Sequence, residues 1–265
     1  MILPLEIDSV SFEIAGKKLI KEISFTFEAG PKTLVLGANG AGKSLFLRLC
    51  HGLLKPTAGR VRWLGADGGD PSRAQAMVFQ RPVMLRRSAA ANVAYALKMK
   101  GVPQAERPAI IDDVLGHTGL RRLADQPARV LSAGEQQKLA LARAWALRPE
   151  VLFLDEPTAS LDPAATHAVE EIIDAIHGAG TRIIMTTHDL PQARRLADEV
   201  LFLNRGRLLE KAPAERFFNG PENDLAQAFV RGELLWWHRG KDRRDRENER
   251  NKDNERNREN EKDVH

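Results

Sequence analysis

Three stretches of the chain are apolar over consecutive residues: Thr33-Leu34-Val35-Leu36, Val151-Leu152-Phe153-Leu154 and Arg182-Ile183-Ile184-Met185-Thr186. A strand with one face in water alternates apolar and polar residues, so an unbroken run describes a strand covered on both faces, as in a parallel sheet with helices above and below. A helix-like pattern follows each run, which places the chain in the α/β class. By contrast, Val10, Phe12 and Ile14 alternate with polar or small residues, as do Ile23, Phe25 and Phe27. These read as half-buried strands of an antiparallel β edge. Residues 82–148 carry a mostly helical pattern with no clear strand, which reads as a helical subdomain inserted into the parallel core. The chain has 265 residues, 43% of them apolar and 29% charged, enough to bury one large core.

The first apolar run ends in Gly37-Ala38-Asn39-Gly40-Ala41-Gly42-Lys43-Ser44. This octapeptide has the spacing of a P-loop, and it lies between a strand and a helix as a P-loop must. Its glycines let the backbone curl so that several N–H groups point at phosphate oxygens, and a helix starting near Lys43 adds the positive end of its dipole. Lys43 is expected to reach the β- and γ-phosphates, and the Ser44 hydroxyl to ligate Mg²⁺. Leu45, Leu47, Leu49 and Leu53 are expected to populate that helix. The second run ends in Asp155 and Glu156. Carboxylates at the carboxyl end of a parallel strand face the crevice where α/β ligands bind. Asp155 is placed to hold Mg²⁺ through water, and Glu156 to orient or deprotonate a water in line with the γ-phosphate.

Mean hydropathy is -0.36, and no run approaches the roughly 18 apolar residues that span a bilayer. Met1-Ile2-Leu3-Pro4-Leu5-Glu6 lacks the charged start and cleavage site of a signal peptide. The one cysteine, Cys50, excludes an internal disulfide and a multi-cysteine metal site and fits a reducing compartment. The formal charge is only +4. That argues weakly for nucleic acid and better for a slightly basic face near anionic lipid. Residues 239–265 are almost entirely Arg, Lys, Asp, Glu and Asn with opposite charges interleaved, and they are expected to be disordered. Trp236 and Trp237, just before them, are expected either to pack on the body or to meet a partner.

Four further motifs complete the pattern: Leu131-Ser132-Ala133-Gly134-Glu135-Gln136-Gln137, Val78-Phe79-Gln80, Ser160-Leu161-Asp162 and Thr186-Thr187-His188-Asp189. Together with the P-loop and Asp155-Glu156 they resemble the nucleotide-binding subunits of ATP-binding cassette (ABC) transporters, across residues 5–216. The resemblance implies a P-loop NTPase (RecA-like) fold and a cassette spanning 1–238. Its core would be about 1–84 and 149–216, its helical lobe about 85–148, and its C-terminal extension 217–238. The resemblance also implies ATP and Mg²⁺ as ligands. Ser132 and Gly134 look like the family's signature motif, Gln80 like its Q-loop glutamine at the metal and attacking water, Asp162 like its D-loop, and His188 like its switch histidine. The family's adenine-stacking aromatic falls, by distance from the P-loop, on Ile14, which offers an apolar contact but no ring. Phe12, read on the same strand face, is the alternative ring partner or part of the core. Ala133 stands where the family more often has glycine.

Local chemistry supplies some of these residues with a second role. Ser132-x-x-Glu135 is a capping box for a helix with Leu139, Ala142, Trp145 and Ala146 on one side. Asp162-Pro163 reads as N-cap and first residue of a helix over 163–176 that Gly178 stops. In the family the P-loop of one subunit faces the signature helix of another, so the implied partner is a second copy of the chain in a C2 arrangement. The other implied partners are integral membrane permease subunits and, through them, a periplasmic or extracellular solute-binding protein; no nucleic acid is expected. The subunit would then sit peripherally on the cytoplasmic face of the membrane. Arg81-Pro82-Val83-Met84-Leu85 would supply either a permease-docking groove or lobe core. The stretches 79–88 and 187–198 are similar to those of short oxyanion importers of the tungstate and phosphate kind. Import of such an oxyanion is the leading expectation. An exporter ATPase is the alternative, and a non-transport cytosolic ABC protein a more distant one.

Overall fold

The structure, a computed structural model, describes residues 2–65 and 70–233. Trp236, Trp237 and the charged tail lie outside the described residues. Among the described residues, nine strands form two sheets. The larger has strand order β5-β6-β7-β3-β8-β9. These strands are β3 (Thr33–Leu36), β5 (Gln75–Val78), β6 (Val151–Asp155), β7 (Arg182–Thr187), β8 (Glu199–Asn204) and β9 (Arg207–Pro213). All neighbours pair in parallel except β9, which runs antiparallel along β8 at one edge. The three apolar runs occupy its centre, and every residue of β3, β6 and β7 is buried.

The smaller sheet has order β2-β1-β4, from β1 (Leu5–Ile14), β2 (Lys17–Phe27) and β4 (Ala58–Trp63), all antiparallel. The alternating segments thus form a sheet of their own, separate from the large sheet's antiparallel edge. Helix α1 (Lys43–His51) lies in the core between the sheets. Phe46, Leu47 and Leu49 of α1 join one apolar cluster with Val10, Ile20 and Phe27 of the small sheet and Phe153, Ile184 and Leu201 of the large one. Each such side chain contributes on the order of 1.5–3 kcal/mol when fully buried. Cys50 is part of that cluster, and burial pushes its thiol well above the usual range, which suppresses the reactive thiolate.

Between β5 and β6 come only helices among the named elements: α2 (Ala89–Lys100), α3 (Arg107–His117) and α4 (Ala133–Ala146), with a short 3₁₀ turn at Arg121–Leu123. After β6 follow α5 (Pro163–Gly178), α6 (Leu190–Leu196) and α7 (Ala214–Asn219), which runs across residue 216. The compact body closes at Pro221. A second unit begins at Glu222 and contains α8 (Asp224–Val230), capped by the Asn223 side chain, which accepts from the Leu225 and Ala226 N–H groups.

Three local expectations are corrected. Leu53 is not on the helix behind the P-loop; α1 ends at the Gly52 cap, and Leu53 is 51% exposed. Gly178 lies inside α5, which ends on Ala179; the left-handed turn that redirects the chain is made by Gly180 (φ 97°). Phe12 and Ile14, read together on one strand face, do not share an environment. The β1–β2 pairing is irregular between Val10 and Phe12 and between Phe12 and Glu13, with the extra residues on β2. Phe12 is buried while Ile14, the last residue of β1, is 54% exposed.

Candidate functional site

The P-loop connects β3 to α1 at the carboxyl end of the parallel sheet. Gly37 has φ 153°, and a Cβ there would sit 2.1 Å from the Leu203 carbonyl oxygen of β8, so only glycine fits the close approach of loop and strand. Lys43 is buried at 5% exposure. Its Nζ donates to the carbonyls of Gly37 (2.9 Å) and Ala38 (3.4 Å) and lies 3.3 Å from Glu156 Oε1. The lysine is thus aimed along the inside of the loop, with all its partners being oxygens that a phosphate would replace.

Asp155 and Glu156 follow β6, next to β7. Ser44 Oγ donates to Asp155 Oδ1 at 2.7 Å, and Thr186 Oγ1 donates to the same oxygen at 2.9 Å. Arg48 of α1 stands 3.9 Å from Asp155 Oδ2. Glu156 adopts φ 45°, a left-handed conformation that side chains rarely take. Its N–H donates to the Thr186 carbonyl and hydroxyl, and its Oε2 lies 3.1 Å from His188 Nδ1. One carboxylate therefore sits between the lysine and the histidine. Asn39, Ser44, Gln80, Glu156 and His188 line a single cleft of about 550 Å³, with Thr158 to Leu161 as a further wall.

Not every expected residue joins this cleft. Ile14, on the end of β1, is not among its lining residues. Ser132 and Gly134 also lie apart from it, at the N-terminus of α4. There the capping box is complete: Ser132 Oγ accepts from the Glu135 N–H and the Glu135 carboxylate accepts from the Ser132 N–H. The Ser132 hydrogen bonds hold Glu135 below the usual carboxylate range. Ser132 and Ala133 are exposed, so the start of α4 is open to solvent. A Cβ on Gly134 would come 2.9 Å from the Ala165 Cβ of α5, and the Ala165 N–H donates to Asp162 Oδ1. Gly134 and Asp162 thus meet at one residue. Of the segment after Gln80, Val83 is 74% exposed, Met84 is buried and Leu85 is half-buried, so the groove and core alternatives divide residue by residue.

Thr186, Arg48 and Gln192 are site residues that the sequence reading passed over. Gln192 Nε2 donates to Thr158 Oγ1 (2.8 Å) and Glu170 Oε1 (3.0 Å), and Arg195 closes a two-bond pair on Glu170. This buried chain ties α6 and α5 to the loop after Glu156. Burial pushes the Glu170 carboxyl up, but the bonds from Arg195 and Gln192 and the Arg195 charge outweigh it and hold the group low. A depressed carboxyl stabilises the fold above its unfolded value near 4.5, and that contribution is lost as pH falls through the folded value. Glu170→Gln is therefore expected to cost about 1–2 kcal/mol near neutral pH and less in acid. Urea melts of both proteins at neutral and acid pH measure it, and parallel loss at both would speak against the pair.

The oxygens of Ser44 and Asp155 suit Mg²⁺, a hard cation that takes its other ligands from water and substrate phosphates. Comparisons with known proteins show the family. The family model described as "ABC transporter" matches residues 20–159. The tungstate uptake system ATP-binding protein TupC of Peptoclostridium acidaminophilum is 37% identical, over 81% of this chain and 99% of its own length. The phosphate import ATP-binding protein PstB 2 of Natronomonas pharaonis is 32% identical over 88% of both. The methionine import ATP-binding protein MetN of Caulobacter vibrioides is 36% identical over 84% of this chain and 70% of its own. Among solved structures, cbiO1 of Clostridium perfringens, part of the ABC transporter complex cbiONQ, superposes with a TM-score of 0.73 at 27% identity, covering 86% of this chain and 94% of that one. With a P-loop, an acidic strand end and a histidine around one cleft, the chain belongs to the ABC transporter ATP-binding family and is an ATPase that uses ATP with Mg²⁺.

Proposed function

We propose that this chain is the energising subunit of an importer for an oxyanion such as tungstate. It acts as an ATP-sandwich homodimer under membrane permease subunits that receive solute from a binding protein. The observation that carries the oxyanion reading is the match to a tungstate uptake subunit over nearly that protein's whole length. The methionine importer relative supports a second reading, import of an amino acid, and it matches over less of its own chain. No helix among the described residues is long and apolar enough to cross a membrane. Exposed Val83, Phe79, Tyr95 and Met99 around the Q-loop and α2 support docking there, with residues 85–148 as the lobe that carries it.

In the proposed reaction, Lys43 turns from the loop carbonyls to the β- and γ-phosphates, and the Glu156 carboxylate is released from it. Glu156 then takes a proton from a water as the water oxygen bonds to the γ-phosphorus and the bond to the β–γ bridging oxygen breaks. His188 holds the carboxylate and the γ-phosphate side of the cleft. Ser44, with Asp155 and Gln80 beside it, would hold Mg²⁺, which when bound would supply charge neutralisation at the phosphates. The exposed start of α4 supports a role for Ser132 and Gly134 toward the nucleotide of a second copy, with Asp162 at the same seam. The transport assignment is tested by ATPase activity of the complex reconstituted in liposomes with its binding protein. Stimulation by tungstate, molybdate or phosphate is expected. Stimulation by methionine alone would replace the oxyanion with the second reading.

A further inference from the structure

We propose that Thr186 is a positioning residue for ATP hydrolysis: one buried hydroxyl sets both the metal-side carboxylate and the base. Strands β6 and β7 are parallel neighbours, and their register pairs Asp155 with Thr186. Thr186 is fully buried. Its hydroxyl donates to Asp155 Oδ1 at 2.9 Å and accepts the Glu156 N–H at 2.9 Å.

The direction of both bonds is dictated by chemistry. An ionised carboxylate only accepts, so the hydroxyl proton goes to Asp155 and a lone pair is left for Glu156. Asp155 Oδ1 is then shared between Ser44 and Thr186, which fixes the carboxylate from the helix side and from the strand side. Glu156 holds its left-handed φ of 45° only because its surroundings over-determine it, and two acceptors on Thr186 take its N–H. Removing the hydroxyl leaves Asp155 with one hydroxyl donor and weakens the hold on the strained residue. This inference rests on the roles of Asp155 and Glu156 proposed above.

The test uses the full chain. Thr186→Val keeps size and removes the hydroxyl; Thr186→Ser keeps the hydroxyl. The valine variant is expected to lose about 10–100-fold in kcat, the scale of a small misplacement of reacting groups, with KM for ATP changed by less than about 3-fold. Mn²⁺ binding in the presence of a non-hydrolysable ATP analogue, followed by electron paramagnetic resonance, is expected to weaken several-fold in the same variant. The serine variant is expected to recover both within about 3-fold of the original protein. Circular dichroism melts establish that each variant is folded. Should the valine variant fail to fold, the serine variant still decides: a serine variant slowed 10-fold or more overturns the inference. A valine variant with unaltered turnover overturns it as well. Glu156→Gln measured alongside keeps the two assignments apart. Turnover surviving in Glu156→Gln counts against the base, whereas turnover surviving only in Thr186→Val counts against the positioning role.

Discussion

Replacing Glu156 by glutamine is expected to slow ATP hydrolysis by at least about 100-fold while ATP stays bound. Glutamine keeps the shape of the side chain and its hydrogen bond to His188, but it gives up the charge that accepts a proton from water. It also removes the negative charge that lies 3.3 Å from Lys43, which makes it easier for the lysine to turn to a phosphate. Nucleotide affinity is therefore expected to hold or rise while kcat falls. Phosphate release and equilibrium binding of a fluorescent ATP analogue read the two quantities separately. A variant that hydrolyses ATP at the original rate would remove Glu156 from the mechanism. A variant that loses binding and turnover together would show that the carboxylate is needed to keep the loop in shape.

Two inert variants are expected to regain activity on mixing. Lys43→Ala removes the buried cation of the P-loop. Ser132→Arg places a long charged side chain at the exposed start of α4. If each site joins the P-loop of one copy to the α4 end of another, a mixed pair has one whole site and one doubly broken site. Random pairing at equal amounts makes half the pairs mixed, so roughly a quarter of the original specific activity should return. Specific activity of the unaltered protein should also fall on dilution as pairs separate. A mixture as inert as its components, together with activity independent of dilution, would sink the shared site. The physical basis is the separation seen in one chain: the cleft is lined by Asn39, Ser44, Gln80, Glu156 and His188, and Ser132 and Gly134 are elsewhere.

The helix caps were readable because capping is a contact between residues three apart, and Ser132, Glu135 and Asp162 make the bonds their spacing implied. The two-sided burial of β3, β6 and β7 was readable for a related reason, since strand periodicity is local. The different burial of Phe12 and Ile14 was not readable, because an alternating pattern does not say where along the strand the cover of the core ends, and Ile14 is the last residue of β1. Gly178 was taken for a stop because composition does not say which of two nearby glycines takes the left-handed turn.

By itself the sequence determined the parallel α/β class, the phosphate loop and the acids Asp155 and Glu156, all through contacts or periodicities a few residues long. Only the tertiary structure decided that Thr186 joins both acids, that Glu156 lies between Lys43 and His188, and that Gly134 meets Ala165. Strand order brings Thr186 to Asp155 across 31 positions of chain, and a separation of that size is set by how the sheet assembles around its core. No spacing along the chain encodes it.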